Sequence, residues 1–154
     1  HALLEMGRVD ASYALIKDLE ERHRKESNPT LLAQIQVSFA EAAALRGEIR
    51  EAVRAADEAI SFYTTAGDLE ALPRVLMARI DLDQKMGKFD RALRRLDQVI
   101  EICAKLEKIV MLRDALELKR KILGEHGWPE EARAAYEQLR RVDDRIRNQN
   151  REEE

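Results

Sequence analysis

Three histidines and one cysteine have the widest range of catalytic and metal chemistry among the 154 residues of this chain. None of His1, His23 and His126 has a second ligand at the spacing that zinc sites use. No histidine is positioned in the sequence as a base for Cys103, although a nucleophilic cysteine needs such a neighbour. We therefore expect no metal site, and we expect Cys103 to be a buried structural thiol.

Carboxylates and a glycine-containing segment are the remaining candidates for chemistry. The 30 acidic residues form close pairs such as Asp81 with Asp83 and Glu130 with Glu131. With so many acidic side chains, close pairs arise by chance, and we expect them to face solvent. The segment GKFD, which begins at Gly87, lacks the earlier glycine and the strand that a phosphate-binding loop requires. We therefore predict that the chain is not an enzyme, with no catalytic residues, no cofactor and no small-molecule substrate.

Charge is spread evenly along the chain. The 27 basic and 30 acidic side chains are interspersed and give a net charge of −3. Binding to nucleic acid or to an acidic membrane surface is typical of proteins with a basic stripe, and this sequence has none. The partners that we expect are therefore proteins or peptides, with no nucleic acid and no membrane.

The cellular setting follows from what the sequence lacks. Its apolar runs, such as Ile109–Leu112, are far too short to cross a bilayer, and its first ten residues do not resemble a signal peptide. A single cysteine cannot form an internal disulfide, which favours a reducing compartment, so we expect a cytoplasmic location.

The first residue is not Met and the last four are charged. We therefore expect the chain to be part of a longer protein.

A 40-residue period organises the sequence. Gly7, Gly47, Gly87 and Gly127 are each 40 residues apart. The columns that follow them are separated by three or four residues, which keeps side chains on one helix face. The columns are Val9, Ile49, Phe89 and Pro129; Ser12, Ala52, Ala92 and Ala132; Ile16, Ala56, Leu96 and Tyr136; and Leu19, Ala59, Val99 and Leu139. The second column contains only small residues, which predicts a close approach of another backbone.

Each period is predicted to be a helix, a glycine turn and a second helix, because glycine commonly ends a helix in the left-handed conformation. Asn28 and Asp68 occupy equivalent positions as N-caps. Pro73 either lies in the opening turn of its helix or shifts the start of that helix. The predicted first helices are 29–46, 69–86 and 109–125, and the predicted second helices are 8–26, 48–66, 88–106 and 129–148.

The glycine turns and second helices resemble the tetratricopeptide repeat (TPR). The segments GEIREAVRAADEAI and GKFDRALRRLDQVI carry its pattern of Gly, a large apolar residue and Ala. The resemblance implies an all-α fold of antiparallel helix-hairpin repeats stacked as a right-handed TPR-like superhelix, or α-solenoid. The usual repeat is about 34 residues long, and this longer form resembles helical modules in bacterial regulatory and sensor proteins. We expect residues 1–154 to form a single array, with a partial repeat at 1–28 and repeats at 29–68, 69–108 and 109–150, the last with an extended C-terminal helix.

The resemblance also implies a partner-binding surface on the first helices. In the family, inner-surface residues lie 13, 9 and 6 positions before the turn glycine. The corresponding residues here are Gln34, Ser38 and Glu41; Arg74, Ala78 and Asp81; and Asp114, Leu118 and Lys121. They either hold an extended peptide or a helix, or are ordinary solvated positions. Glu41 and Asp81 would repel the terminal carboxylate that one subclass of the family binds.

Two further sequence features leave alternatives open. Arg79 and Lys119 replace the large apolar Phe39 of the first repeat, and they would join the inner surface if their helices were rotated. The last helix spaces Tyr136, Leu139, Val142 and Ile146 almost as a coiled-coil seam does, and is either a signalling or dimerising helix or a polar cap. We therefore predict a protein–protein interaction scaffold in a bacterial signalling or transcription-regulating protein. The alternative is a self-association module that dimerises a downstream domain.

Overall fold

The computed structural model describes residues 2–25 and 28–153, and its account of side chains begins at Glu5 and leaves out those of residues 25–27. Over these residues the chain consists of seven helices and no strand. The helices are α1 (Ala2–Lys25), α2 (Pro29–Leu45), α3 (Ile49–Ala66), α4 (Leu72–Lys85), α5 (Phe89–Lys105), α6 (Ile109–Glu125) and α7 (Pro129–Glu152). The all-α prediction is confirmed, and the repeat boundaries within the array stay a prediction.

The turn glycines follow the prediction with one exception. Gly47, Gly87 and Gly127 have φ values of 78°, 71° and 89°, in the left-handed region that glycine tolerates best. Gly7 lies inside α1, so the prediction that a helix begins after it is wrong. A Cβ at Gly7 would meet nothing within 4 Å. With no breaker before it, the helix runs through Gly7, since an isolated glycine weakens a helix without ending it.

The starts of α2 and α4 show how the cap residues act. The Asn28 side chain accepts a hydrogen bond from the Leu31 backbone N–H at 3.2 Å, as an N-cap should. Asp68 accepts the equivalent bond from the Ala71 N–H at 3.2 Å, but a turn over residues 69–71 comes before the helix. Pro73 lies in the opening turn, and α4 begins at Leu72 rather than at residue 69. Pro73 therefore lies in the opening turn and the start of the helix is also shifted, so both alternatives predicted for this proline are correct.

The chain divides into two compact units, residues 1–86 and 87–154. In the first unit, α2 contacts α1 and α3, and α4 contacts α3 and α2. Phe39, Val75, Ile80 and Leu82 are almost completely buried and form the centre of this core. The ring of Tyr13 on α1 lies 5.2 Å from that of Phe39, measured between centroids. Aromatic contact therefore joins the first helix of the chain to the second.

Four charged side chains connect α1 to α3. Arg24 lies 2.9 Å from Glu20 and 3.1 Å from Glu58. Arg54 lies 3.1 Å from Glu58 and 3.7 Å from Glu20, which closes a ring of alternating charges. The buried Gln36 of α2 donates to Glu58 at 2.9 Å. A charge network holds a helix pair in register better than an isolated surface pair, because each side chain is held by two partners.

The second unit contains α5, α6 and α7, with α6 in contact with both of the others. Leu96, Val99, Cys103 and Ile122 are almost completely buried and form its core. The imidazole of His126 stacks on the ring of Phe89, with 3.6 Å between centroids. Spacing by three and four residues along α5 places Leu96, Val99 and Cys103 on one face, as the column pattern predicts.

Two members of the small column are fully buried. Ala52 and Ala92 have no exposed surface, Ala132 is half-buried and Ser12 is exposed. The column therefore marks buried positions in α3 and α5.

Ala92→Leu is expected to lower the free energy of unfolding by about 1–3 kcal/mol, because extra methyl groups must be forced into a filled core. Urea denaturation followed by circular dichroism measures this loss. Ala134→Leu is the matched control: Ala134 is an exposed alanine on α7, and the same change there should have little effect. A wild-type midpoint for Ala92→Leu would contradict the close contact.

Candidate partner-binding surface

The first unit brings six of the predicted inner-surface residues onto two neighbouring helices. Helices α2 and α4 contact each other directly. Their predicted residues are exposed or half-buried, as a binding surface requires. We call this set the α2/α4 surface: Gln34, Ser38 and Glu41 on α2, and Arg74, Ala78 and Asp81 on α4.

Charges on the α2/α4 surface are paired. The Nε of Arg74 lies 3.0 Å from Oε1 of Glu41, and its Nη2 lies 3.3 Å from Oε2, so the contact is bidentate. Asp81 lies 3.1 Å from Nζ of Lys85, one turn further along α4. Exposed pairs of this kind contribute little to stability and can exchange partners readily. The surface is therefore polar and nearly neutral, with the small side chains of Ser38 and Ala78 between the charges.

The second unit carries the other three predicted residues on α6. Asp114 is exposed, Lys121 is exposed and Leu118 is half-buried. The carboxylate of Asp114 lies 3.8 Å from Arg113, whose Nε is 2.7 Å from Asp143 of α7. Nearby, a hydrogen bond from Arg120 lowers the pKa of Glu117. All nine predicted residues thus lie on first helices, and their role in binding stays a prediction.

Arg79 and Lys119 do not join this surface. Arg79 is buried, with Nη1 2.6 Å from Oδ1 of Asp83 and Nε 2.9 Å from Oδ1 of Asp57 on α3. Lys119 places Nζ 2.8 Å from Oδ1 of Asp97 on α5. Both cations therefore point back towards the preceding second helix. The rotation that would have exposed them is absent.

The acidic partners of Arg79 and Lys119 recur in the sequence with the same period as the two cations, a signal that predicts these contacts and was not used above. Asp57 and Asp97 are 40 residues apart, as are Arg79 and Lys119, and each acid precedes its cation by 22 residues. A column in which cation and acid recur together predicts a contact. The expectation that the pair Asp81 and Asp83 faces solvent is wrong for Asp83, which is completely buried beside Arg79.

Charged side chains also surround the ring and hydroxyl of Tyr13 on α1. Its hydroxyl donates towards Oε2 of Glu48 at 2.7 Å and is also within hydrogen-bonding distance of Glu51. Burial, together with these carboxylates, raises the pKa of Tyr13 well above its ordinary value. The hydrogen bond from Tyr13 lowers the pKa of Glu51. Arg46 lies over the ring, 4.1 Å from its centroid. The group is a structural link between α1 and the start of α3.

The candidates for chemistry lie apart from one another. Cys103 is buried, as predicted, and burial raises the pKa of its thiol, which disfavours the thiolate. His23 is half-buried on α1, His126 stacks on Phe89, and His1 lies outside the described residues. Among residues with described side chains, no group of three His, Cys, Asp or Glu residues could hold a metal ion.

None of the helices in the described part of the chain has the length and apolarity needed to cross a membrane.

The apolar residues of the last helix differ in how deeply they are buried. Leu139 and Val142 are buried, Ile146 is half-buried and Tyr136 is 49% exposed. Helix α7 contacts α6, and the ion pair between Arg113 and Asp143 fastens the two. Most of the predicted seam therefore packs within the unit. Tyr136 is the member of the seam that remains accessible.

Several solved structures are similar to this chain. A crystal structure of a variant of a kinesin light chain with nearly identical TPR-like repeats, from Podosopora anserina, matches with a TM-score of 0.77 and 18% identity. The match covers 96% of this chain and 72% of that one. A second crystal structure of those repeats matches with a TM-score of 0.74, also at 18% identity, over 91% and 69% of the two chains. BtubC (BKLC) from P. vanneervenii matches with a TM-score of 0.59 and 13% identity over 94% and 76%.

No family model and no curated protein sequence matches the chain. The likeness is therefore one of structure at low sequence identity. The helical hairpins, the left-handed glycines and these matches agree with one another. The all-α, TPR-like α-solenoid fold that the sequence predicts is confirmed, and the chain has the fold of the TPR-like repeat proteins.

Proposed function

We propose that this chain is a protein–protein interaction scaffold that binds a peptide or a helix of a partner protein along its first helices. The α2/α4 surface carries the proposal. Two rows of small and polar side chains lie side by side there, and the charged members sit in exchangeable pairs. Such a surface recognises a partner through shape and polar complementarity, without making or breaking a covalent bond.

The chemistry of the α2/α4 surface favours a partner of mixed polarity. Gln34 is exposed and offers both a donor and an acceptor to a peptide backbone. The bidentate pair of Arg74 and Glu41 can open, so that each charge meets an opposite charge on the partner. Ser38 and Ala78 leave room for a side chain between them. We further propose that this binding belongs to a bacterial signalling or transcription-regulating protein, which rests on the 40-residue form of the repeat.

Reversing the two charges that α4 contributes to the α2/α4 surface, with Arg74→Glu and Asp81→Lys together, is expected to weaken partner binding by about tenfold, or about 1.4 kcal/mol. The introduced carboxylate would stand beside Glu41, and the introduced ammonium group beside Lys85. Net charge is unchanged, so the expected loss comes from the pattern of charge. The partner is first isolated with the wild-type chain as bait, and its affinity for each variant is then measured by calorimetry.

A second pair of exposed charges supplies the matched control. Arg22 and Asp18 lie 3.2 Å apart on α1 and are exposed to a similar degree. Arg22→Glu with Asp18→Lys should leave the affinity unchanged. Circular dichroism should show wild-type helix content for both double variants. An unaltered affinity after reversal at Arg74 and Asp81 would remove the α2/α4 surface from the proposal.

The alternative is that the chain self-associates and brings a downstream domain together. The accessible Tyr136 on α7 favours this alternative, because exposed aromatic side chains are common at interfaces. Light scattering over a dilution series separates the two functions. A monomer whose mass does not depend on concentration rejects self-association and leaves the scaffold function in place.

A further inference from the structure

One face of α5 carries three arginines and a glutamine. Arg91, Arg94, Arg95 and Gln98 lie within about two turns of the helix, at spacings that place them on the same face. They line a depression of about 360 Å³, and none of the described residues that line it is acidic. We call these four residues the α5 arginine row. Charges that are interspersed along the sequence are therefore sorted here into a patch of positive charge.

Two guanidinium groups of the α5 arginine row are available to a ligand. Arg91 and Arg94 are exposed, and neither forms an ion pair with a side chain that the structure describes. Arg95 is half-buried and is engaged with another group of the chain. Gln98 is exposed and adds the N–H donors of its amide. An anion at this depression therefore meets two positive charges and a neutral donor group.

A depression on α7 has a different balance of charge. It has a volume of about 280 Å³ and is lined by Arg140, Arg141, Glu137 and Asp144. Each arginine there has two carboxylates of the same lining three or four residues away, and such spacings bring opposite charges together on a helix. Exposed arginines are therefore common to both depressions. The absence of an acid from the described lining distinguishes the depression on α5.

We propose that the α5 arginine row binds a phosphorylated side chain of a partner protein. A phosphoryl group on serine or threonine carries about −1.5 to −2 charges at neutral pH, which matches the charges of Arg91 and Arg94. The planar fork of a guanidinium binds phosphate oxygens in pairs, and three such oxygens supply acceptors for both forks and for Gln98. A carboxylate has a single charge and two oxygens, so it would leave one guanidinium unmatched.

The acids of α5 favour a compact ligand over an extended polyanion. Asp90, Asp97 and Glu101 are exposed, and each lies three or four residues from a member of the α5 arginine row. The row is about 10 Å long, so a nucleic-acid backbone or an anionic membrane would extend past it and meet these carboxylates. A single phosphorylated residue fits within the row. The site is on a second helix, whereas the proposed scaffold function uses first helices.

Three acetylated and amidated pentapeptides are the probes, each with glycine at the positions that are not varied. One has phosphoserine at its centre and one has serine there. The third has glutamate at its second and fourth positions, which gives it nearly the same charge as the first. Amide NMR shifts of the whole chain are followed at constant ionic strength and neutral pH. The phosphoserine peptide should shift α5 amides saturably with a Kd of about 1 mM, and the glutamate peptide should bind at least about threefold more weakly. The serine peptide should cause no saturable shift.

Arg91→Gln with Arg94→Gln should weaken binding of the phosphoserine peptide by about tenfold or more, because both available charges are removed. Arg91→Lys with Arg94→Lys keeps the charges and removes the forks, so an intermediate loss of about two- to fivefold is expected. Arg140→Gln with Arg141→Gln is the matched control, since it removes the same charge from the depression on α7 and should leave the affinity unchanged. Charge reversal on the α2/α4 surface should also leave it unchanged, so this proposal and the proposed function can fail separately.

Four results would overturn the proposal. They are absence of saturable shifts up to about 10 mM phosphoserine peptide, shifts confined to other helices, equal affinity for the phosphoserine and glutamate peptides, and equal losses from the two double Gln variants. A pentanucleotide of thymidine, titrated in the same way, tests the other source of phosphate. Tighter binding of this oligonucleotide than of the phosphoserine peptide, lost on substitution of Arg91 and Arg94, would assign the row to nucleic acid and would also overturn the proposal.

Discussion

Arg79→Met is expected to lower the free energy of unfolding by about 3–5 kcal/mol, the range for breaking a buried ion pair from one side. The substitution keeps much of the side-chain volume of Arg79 and removes its charge. It removes the guanidinium that lies 2.6 Å from the carboxylate of Asp83, which has no exposed surface. Urea denaturation followed by circular dichroism of the helical signal measures the loss.

Lys119→Met is the control for this result, because Lys119 occupies the same column one repeat later. Its side chain is 25% exposed and that of its partner Asp97 is 60% exposed. Solvent therefore screens the pair, and its loss should cost at most about 1 kcal/mol. Equal losses for Arg79→Met and Lys119→Met would show that burial does not distinguish the two pairs, and would contradict the prediction.

Phe39→Ala is expected to lower the free energy of unfolding by about 3–5 kcal/mol, since it leaves a large cavity in a core that cannot fully close. Phe39 is 1% exposed and its ring also meets that of Tyr13. The substitution should therefore loosen α1 as well as the core. Hydrogen exchange of α1 amides, measured beside the denaturation midpoint, would report that second effect as faster exchange.

Phe62→Ala is the matched comparison in the same unit, because Phe62 is half-buried on α3. A partly exposed ring loses less apolar contact on truncation, so the expected loss is smaller than for Phe39. Phe39→Leu should cost less than about 1.5 kcal/mol, since it keeps most of the apolar volume. The core assignment of Phe39 fails if Phe39→Ala and Phe62→Ala have the same midpoint.

Local features of the sequence were sufficient to predict the helices and most of their ends. Gly47, Gly87 and Gly127 predict the end of a helix in the left-handed conformation, and Asn28 with Pro29 predicts the start of one. Helix ends of this kind can be predicted because they depend on the residue itself and its nearest neighbours. The steps of three and four within the columns likewise indicate which face of a helix is apolar. The predicted first-helix residues followed from the same periodicity, which places them on helices without saying what binds there.

Tertiary contacts decided the features that involve distant residues. Arg79 reads from the sequence as a surface cation, and it is buried because Asp57, 22 residues earlier, and Asp83 come within hydrogen-bonding distance once α3 and α4 pack. Gly7 fits the turn column but lies inside α1, since no tertiary contact or local breaker ends the helix there. Whether a column is buried depends on how its helix packs, so Ala52 is buried and Ser12 is exposed although both carry the same pattern. The sequence by itself thus determined the helical hairpins, through interactions within a few residues. Only the tertiary structure decided which of their faces and charges remain available to a partner, because burial is a property of the assembled helices.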